Sequence, residues 1–437
     1  MTLIKNIRLG FLHVAVAMTF VLINSVLNRI MIHDLHILAS VVAVLVVLPY
    51  VLSPAQVWIG QYSDTHPILG YRRTPYIAAG TLLCLGGAAV APHAALLMAR
   101  EPFIGVPLAL VAFGIWGIGY NLAVVAYLAL ASDLSNEQQR SRTVAVMWFM
   151  MIIGVIVTAI VVGRSLEPYN EAQLYRSFLA TCGVALALSA TGLAGLEPRQ
   201  VARAGIQSAH QSRASQTAAI RAVLGNPQAR VFFVYLVLLL AAILGQDVLL
   251  EPFGAQAFGM TVRETTQLTA MWGGATLTAL LLYGAVISRW MSKKRGAMIG
   301  GAIAATGLLL TAASAMIAVE ALFIPGILLL GFGTGIATTT NLALMLDMTT
   351  AEQVGLFIGA WGVADALARG VGTLLGGVMR DVIGALTGNI TSGYISVFLI
   401  EALLLGISLV LLQRIDVTTF RSRQPSLTEL VAMTGDA

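Results

Sequence analysis

Long apolar runs separated by short polar segments dominate this sequence and constrain its fold more than any other feature. A membrane-spanning helix needs about 20 mostly apolar residues. Hydrophobic residues make up 58% of the chain and charged residues 10%, whereas soluble domains carry about 25% charged residues. We therefore predict an all-α membrane protein with twelve transmembrane helices, at approximately 9–32, 38–60, 75–98, 103–131, 143–163, 176–196, 229–250, 265–288, 297–318, 323–346, 355–378 and 393–413.

The placement of Lys and Arg predicts the orientation of these spans. With the N-terminus inside, most of the 25 basic residues fall in inside segments, and Arg29 and Arg369 fall within spans. The outside segments then hold five arginines, at positions 100, 164, 176, 263 and 380. Because basic residues concentrate in cytoplasmic loops, we expect both termini in the cytoplasm.

The chain also shows signs of an internal duplication. Gly117 precedes Asp133 by sixteen residues, and Gly331 precedes Asp347 by the same spacing. The longest polar stretch, 197–230, separates the two copies and holds five Arg and one Glu. This is the six-plus-six pattern of the major facilitator superfamily. We predict a six-helix bundle at 1–196, a cytoplasmic linker at 197–228, a second six-helix bundle at 229–413 and a cytoplasmic tail at 414–437.

The loop after the second span resembles the signature loop of that superfamily. It contains Gly60, Asp64, Gly70, Arg72 and Arg73. We expect Gly60 to let two helix ends approach closely and Asp64 to accept charge-assisted hydrogen bonds from arginine. Such contacts would form a cytoplasmic latch; the alternative is an ordinary basic turn with an acid nearby.

Four strings in order give a more specific resemblance. They lie at 24–32, 63–76, 246–254 and 359–381, and include Asn24-Ser-Val-Leu-Asn28-Arg29 and Gln246-Asp247 followed by Glu251-Pro252. Together they resemble the PucC/LhaA-type light-harvesting complex assembly proteins, also called the bacteriochlorophyll delivery family. The resemblance runs from about residue 9 to residue 414.

This resemblance implies a role in photosynthetic bacteria. The protein would bind or deliver bacteriochlorophyll or a chlorophyll precursor and dock light-harvesting antenna polypeptides or a reaction-centre core complex. Pigment-synthesis enzymes are further expected partners, besides membrane lipids. The expected location is the photosynthetic intracytoplasmic part of the bacterial inner membrane. No nucleic-acid binding is expected, and no enzyme motif is recognised in the sequence. A small-molecule secondary transporter and a static subunit of a photosynthetic complex are the alternatives.

Four residues are candidates for contact with the pigment. His13, Asn24 and Asn28 fall within roughly 60° of one face of the first span, at about 100° per residue. A neutral imidazole, or more weakly an amide carbonyl, can ligate the magnesium of a chlorophyll. Trp361 has an indole ring that can stack on a macrocycle. The alternatives are that His13 lies near the cytoplasmic headgroups, that the two asparagines bond to neighbouring helices, and that Trp361 packs among buried side chains.

Polar groups within spans are costly and mark candidate sites. We group six as a membrane polar network: Arg29, Gln246, Asp247, Glu251, Asp365 and Arg369. Asp365 and Arg369 are four residues apart and should form an ion pair. Asp247 and Glu251 share a helix face and call for a cation, which Arg29 or Arg263 would supply, while Arg29 has Asp34 as a second option. Pro252 should end their helix.

Overall fold

The structure is a computed structural model that describes residues 3–135, 137–199, 227–348 and 354–415. Its main elements are fourteen α-helices. The first seven are α1 (Leu3–Phe20), α2 (Ala39–Val51), α3 (Ala55–Thr65), α4 (Thr74–Arg100), α5 (Pro102–Leu134), α6 (Glu137–Ser165) and α7 (Glu171–Leu193). The others are α8 (Pro227–Leu244), α9 (Leu250–Phe258), α10 (Val262–Ala285), α11 (Lys293–Met316), α12 (Phe323–Met348), α13 (Val354–Thr387) and α14 (Ile390–Gln413).

Ten helical stretches in the described ranges are long and apolar enough to cross a membrane. The second expected span is divided, because the chain leaves the helix after Val51 and resumes it at Ala55. Pro54, which lacks an N–H, stands immediately before α3. The eleventh expected span corresponds to α13, a 34-residue helix that carries charged side chains.

Two other elements depart from the regular α-helix. The helix that begins with α1 continues through two π-helical segments, Val21–Leu27 and Ile30–Asp34. Between α8 and α9 lies a 3₁₀ turn, Gly245–Val248.

Pro252 does not end its helix as expected, because it is the third residue of α9. In the first turn of a helix the N–H groups have no partner within the helix, so proline is tolerated there.

The described residues fall into two compact units. Of the described residues, the first comprises 3–135, 137–199, 247–274 and 376–391, and the second comprises 227–246, 275–348, 354–375 and 392–415. In the first unit α1 packs against α6 and α7, and α4 packs along α5, with Phe113, Trp116 and Tyr127 fully buried. The predicted linker, 197–228, lies mostly outside the described residues, as does the tail after residue 415.

Each unit contains a close crossing of two helices at a pair of glycines, and the two glycines are seven residues apart in both units. On α4, an added methyl group at Gly80 would lie 2.5 Å from the Ala123 nitrogen, and one at Gly87 would lie 2.5 Å from the Trp116 nitrogen. On α11, methyl groups at Gly300 and Gly307 would lie 2.7 Å and 2.5 Å from backbone nitrogens of α12. Each unit therefore brings two helix backbones together through a pair of glycines seven residues apart.

Substitution of Gly87 by alanine tests this crossing. The added methyl group would lie 2.5 Å from the Trp116 nitrogen and 2.6 Å from the Ala112 oxygen, both backbone atoms. We expect Gly87→Ala to lower the stability by roughly 1–3 kcal/mol. Gly86→Ala is the matched control, because no atom lies within 4 Å of its added carbon. Thermal unfolding in detergent measures both, and equal midpoints would contradict the close crossing.

Candidate functional site

An ion-pair network fills the loop between α3 and α4. Arg72 Nη2 lies 2.6 Å from Asp64 Oδ1, and Arg73 also pairs with Asp64. The guanidinium of Arg73 is buried, donates to Ser63 Oγ at 2.6 Å and places Nε 3.2 Å from Asp133 Oδ2. The structure thus brings together the three charged residues of the expected latch. We call this set, together with Glu197, the basic-loop network.

Glu197 completes the basic-loop network from a distant part of the sequence. Its buried carboxylate accepts hydrogen bonds from the backbone N–H groups of Arg72, Arg73 and Thr74, at 2.7 to 3.2 Å. These N–H groups stand at the start of α4, where no helical partner is available and negative charge is favoured. Sequence reasoning missed this role, although Glu197 is the single acid of the polar stretch 197–230.

The two glycines of the expected latch differ in their roles. Gly70 has φ of +80°, a conformation that side-chain-bearing residues rarely adopt. An added methyl group at Gly60 would lie 3.4 Å from Val125 Cγ1, an ordinary contact distance. The expectation that Gly60 enables a close helix approach is therefore wrong for this conformation, while Gly70 is required by the turn.

Removal of the Arg73 side chain tests the basic-loop network. Arg73→Ala would remove the buried cation shared by Asp64 and Asp133, while Asp64 keeps its pair with Arg72 and Asp133 is partly exposed, so we expect a loss of about 1–3 kcal/mol. Arg100→Ala, at the other end of α4, removes an exposed pair with Glu171, and such pairs contribute about 0–1 kcal/mol. Thermal unfolding in detergent compares the two. An Arg73 variant as stable as the Arg100 variant would rule out a structural role for the network.

A second polar group of residues is buried within the same compact unit. Thr269 Oγ1 donates to Glu251 Oε1 at 2.6 Å and lies 2.7 Å from Ser25 Oγ. Nearby, Asn28 Nδ2 donates to the carbonyl of Val248 at 2.8 Å. We call Ser25, Asn28, Glu251 and Thr269 the buried polar cluster. It joins the π-helical part of the first helix to α9 and α10, and π-helical segments are frequent at functional sites.

The cation expected for Asp247 and Glu251 is not supplied by either predicted arginine. Arg29 pairs with Asp34 and donates to the carbonyl of Met260 at 3.1 Å. Arg263 pairs with Glu167 at 2.8 Å. Glu251 is instead bound by the hydroxyl of Thr269, and its Oε2 is buried and has no hydrogen-bond partner in the described part of the chain. At Glu251 the Thr269 hydroxyl therefore takes the place of the expected arginine.

Tyr169 lies in the loop beside Arg29 and Asp34. The pKa of its phenol is raised to about 12, chiefly by burial and also by the nearby carboxylates of Asp34 and Glu171, against the lowering effect of the Arg29 guanidinium. The phenol therefore stays protonated and able to donate a hydrogen bond over the whole physiological pH range.

The hydroxyl of Thr269 can be removed to test the buried polar cluster. Thr269→Val would leave the Glu251 carboxyl and the Ser25 hydroxyl without this partner, so we expect a loss of about 1–3 kcal/mol. Thr266→Val is the matched control on the same helix, because its hydroxyl bonds only the carbonyl of Val262. We expect the control to lose less, by thermal unfolding. A larger loss for the control would show that Thr269 does not support Glu251.

Asp381 and Arg380 form a third polar contact that sequence reasoning missed. Asp381 accepts hydrogen bonds from the backbone N–H groups of Ala39 and Ser40, at 3.2 and 2.7 Å, and so caps the start of α2. Arg380 pairs with Asp381 at 2.6 Å and donates to Gln256 Oε1 at 2.5 Å. From the sequence, both residues were expected only to lie at the end of a span. Their contacts could not be predicted, because Ala39, Ser40 and Gln256 are more than 120 residues away in the chain.

The remaining members of the expected polar network lie in the second compact unit. Asp365 and Arg369 form the expected pair, with Arg369 Nε 3.1 Å from Asp365 Oδ2, and both side chains are about one-third exposed. Gln246 Nε2 donates to the carbonyl of Ile243 at 3.0 Å. Trp361 is partly buried on α13. Asn341, on α12, accepts a hydrogen bond from the Tyr235 hydroxyl of α8 at 2.6 Å.

His13 and Asn28, two pigment candidates of the first helix, are buried, and Asn24 is partly buried. His13 is buried beside the rings of Tyr127 and Trp148, at centroid distances of 5.2 and 5.9 Å. Its Nδ1 and the Oδ1 atoms of Asn24 and Asn28 are buried, with no hydrogen-bond partner in the described part of the chain. A macrocycle could reach these atoms only if the surrounding helices separated.

Solved structures with the same arrangement of helices define the class of protein. A bacterial homologue of the human lysosomal transporter Spinster matches with a TM-score of 0.70 at 13% identity, over 98% of this chain and 100% of that one. The nucleoside transporter NupG has a TM-score of 0.70 at 15% identity, over 94% and 99%. A D-xylose–proton symporter has a TM-score of 0.68 at 14% identity, over 92% and 97%. The chain has the major facilitator superfamily fold.

Sequence comparison identifies the family within this fold. The family model described as PUCC protein matches residues 26–420. A protein named PucC from Rhodovulum sulfidophilum is 33% identical over 87% of this chain and 85% of the relative, and one from Rhodobacter capsulatus is 33% identical over 92% and 90%. A Rhodobacter capsulatus protein named bacteriochlorophyll synthase 44.5 kDa chain is 29% identical over 86% and 87%. The chain belongs to the PUCC protein family, which confirms the resemblance found in the sequence.

Proposed function

We propose that this protein is an assembly factor that binds or delivers (bacterio)chlorophyll while antenna complexes form. The observation that carries the proposal is the family match over residues 26–420. One relative is named for bacteriochlorophyll synthesis, and another is named for its position in a puhA–bchM intergenic region of Rhodobacter capsulatus. The partners we propose are antenna polypeptides or a reaction-centre core complex, with pigment-synthesis enzymes as further contacts.

We also propose that the protein resides in the photosynthetic part of the bacterial inner membrane, with both termini in the cytoplasm. Ten apolar helices in the described ranges support a multi-pass membrane protein. The excess of Lys and Arg in alternate loops supports the orientation. The basic-loop network would then lie at the cytoplasmic face, where a latch between helix ends could control exchange of the bound pigment.

The described polar groups favour a role in binding rather than catalysis. Asp64, Glu197 and Asp381 are each bound to arginines or to backbone N–H groups, and Glu251 is bound by a hydroxyl. Contacts of this kind fix helices in place. We therefore propose a non-enzymatic role, in which pigment chemistry belongs to partner enzymes and this protein supplies a membrane-embedded binding surface.

Gentle solubilisation of photosynthetic membranes containing the tagged full-length chain tests the proposal. We expect (bacterio)chlorophyll and antenna polypeptides to elute with the chain, because an assembly factor must hold its cargo and its target together. An unrelated transporter of the same fold, carrying the same tag in the same membrane, serves as control. Recovery of neither pigment nor antenna polypeptides above the control level would overturn the proposal.

The second candidate function is secondary transport of a small molecule. The fold shared with the nucleoside transporter and the D-xylose–proton symporter favours it. Proton-driven carriers use acids within the membrane, and Asp365 is the candidate, although it is paired with Arg369. Proton-driven uptake into proteoliposomes that Asp365→Asn abolishes would establish transport. A static structural subunit is the third reading, and a pigment-free complex with partner helices would support it.

A further inference from the structure

Three aromatic rings are stacked along one face of α3 and its C-terminal end. The ring centroids of Tyr62 and His66 are 4.1 Å apart with an angle of 10° between the planes, and those of Trp58 and Tyr62 are 5.4 Å apart at 25°. Trp58 is 63% exposed and Tyr62 is 43% exposed, and His66 is exposed as well. We call these three residues the aromatic ladder. It offers an uncovered aromatic surface on a rigid element.

The hydrogen bonds of His66 define which of its nitrogens is free. Nδ1 lies 2.8 Å from Thr65 Oγ1 and 3.2 Å from the carbonyl oxygen of Tyr62. The carbonyl can only accept, and the Thr65 hydroxyl is itself directed at carbonyl oxygens of α3. Nδ1 therefore carries the hydrogen, and in the neutral ring Nε2 keeps its lone pair. Metal-binding histidines are held in the same way, with the second nitrogen donating to a carbonyl.

The position of His66 is fixed by a second helix. Tyr76, on α4, donates its phenol hydrogen to the carbonyl oxygen of His66 at 2.6 Å. The Tyr76 ring also meets the Tyr62 ring edge-on, at a centroid distance of 6.3 Å and an angle of 85°. The Tyr62 ring therefore packs against one side of the imidazole, and Tyr76 binds the backbone of His66. Together these contacts fix the direction of Nε2.

The donor set at the aromatic ladder fits a metal that already has most of its ligands. Within the described residues, no group of three or more His, Cys, Asp or Glu side chains could hold a metal ion, and a bare transition metal normally needs such a set. A metal at the centre of a tetrapyrrole is held in the plane by the macrocycle and needs one axial donor, as haem iron does from a single histidine. His66 can supply one donor of this kind.

The spacing of the rings fits the face of such a macrocycle. The Tyr62 ring is inclined by 10° to the imidazole plane, and the Trp58 ring by 25° to the Tyr62 plane. An imidazole that bound the metal through Nε2 would approach the macrocycle edge-on, with these two rings beside it. Their edges would therefore meet the macrocycle face, an edge-to-face contact that aromatic groups favour. From His66 to Trp58 the ladder extends at most about 9.5 Å between centroids, comparable to the width of a tetrapyrrole ring.

We propose that the aromatic ladder binds a magnesium tetrapyrrole, with Nε2 of His66 as axial ligand and the edges of Tyr62 and Trp58 against the macrocycle. This inference rests on the proposed pigment-handling function. It places the pigment on an exposed surface next to the basic-loop network, since Asp64 and His66 lie two residues apart. It does not use the enclosed atoms of His13, Asn24 and Asn28.

Titration of the purified full-length chain with bacteriochlorophyll a in detergent tests the inference. The chain is produced in a non-photosynthetic bacterial host, and the visible absorption band that reports axial coordination of magnesium is followed. We expect the wild-type chain to bind one pigment in five-coordinate form, His66→Leu to bind at least about tenfold more weakly, and Tyr62→Leu and Trp58→Leu to bind severalfold more weakly. Thermal unfolding checks that each variant is folded.

Two controls make the result specific to His66. His93→Leu removes another exposed histidine, whose Nδ1 lies 3.3 Å from the Tyr175 hydroxyl, and we expect it to bind pigment as the wild-type chain does. His66→Gly should retain little pigment on size-exclusion chromatography and regain chain-bound pigment when free imidazole is added. Rescue of this kind would not follow from a merely structural role of His66.

The outcomes separate this inference from the proposed function. Equal affinity and equal coordination in the wild-type chain and His66→Leu would overturn the aromatic ladder as the pigment site and leave the proposed function intact. Loss of pigment from His93→Leu alone would likewise overturn it. If the wild-type chain binds no pigment in this titration, the ladder and the pigment part of the proposed function both fail, and antenna docking alone would remain for the co-purification experiment.

Discussion

A bilayer supplies no hydrogen-bond partners to the backbone, and the rest of this structure depends on that constraint. The chain meets it with helices, and the places where helices become irregular are supported by polar side chains. Asn121 Nδ2 donates to the carbonyl of Pro49 at 2.9 Å, near the end of α2, where helical carbonyls lack partners. Asn28 does the same for the carbonyl of Val248, the last residue of the 3₁₀ turn before α9. These amides therefore act first as backbone partners.

The sequence predicted well those features that depend on neighbours in the chain. The helices, the fold class and the Asp365–Arg369 pair follow from hydropathy and from spacing along a helix, which are local properties. The charged residues of the α3–α4 loop were also recognised, because a short loop brings them together. The role of Gly60 was predicted wrongly, because whether a glycine permits a close helix approach depends on which atoms pack against it. The interruption at Pro54 was overlooked, although proline was visible in the sequence.

Features that depend on distant partners could not be predicted. Glu197 caps the start of α4 and Asp381 caps the start of α2, and both contacts join residues more than 120 positions apart. The cation expected at Glu251 was wrong, because Arg29 pairs with Asp34, the other partner that the sequence offered, and Arg263 pairs with Glu167 from a distant part of the chain. The sequence indicates that a carboxylate within a span needs a hydrogen-bond donor. Only the fold determines whether that donor is an arginine or, as at Glu251, a hydroxyl.

The contrast between enclosed and exposed donor atoms bears on how such a protein would handle a pigment. An imidazole sealed among helices, as His13 is beside Tyr127 and Trp148, would release a bound macrocycle only when the bundle opens. His66 stands at the end of a short helix, and its ring is exposed on a fixed base. A protein that passes cargo to another requires binding that is oriented but readily reversed. A single axial donor beside a flat aromatic surface meets both requirements, because few contacts must break for the pigment to leave.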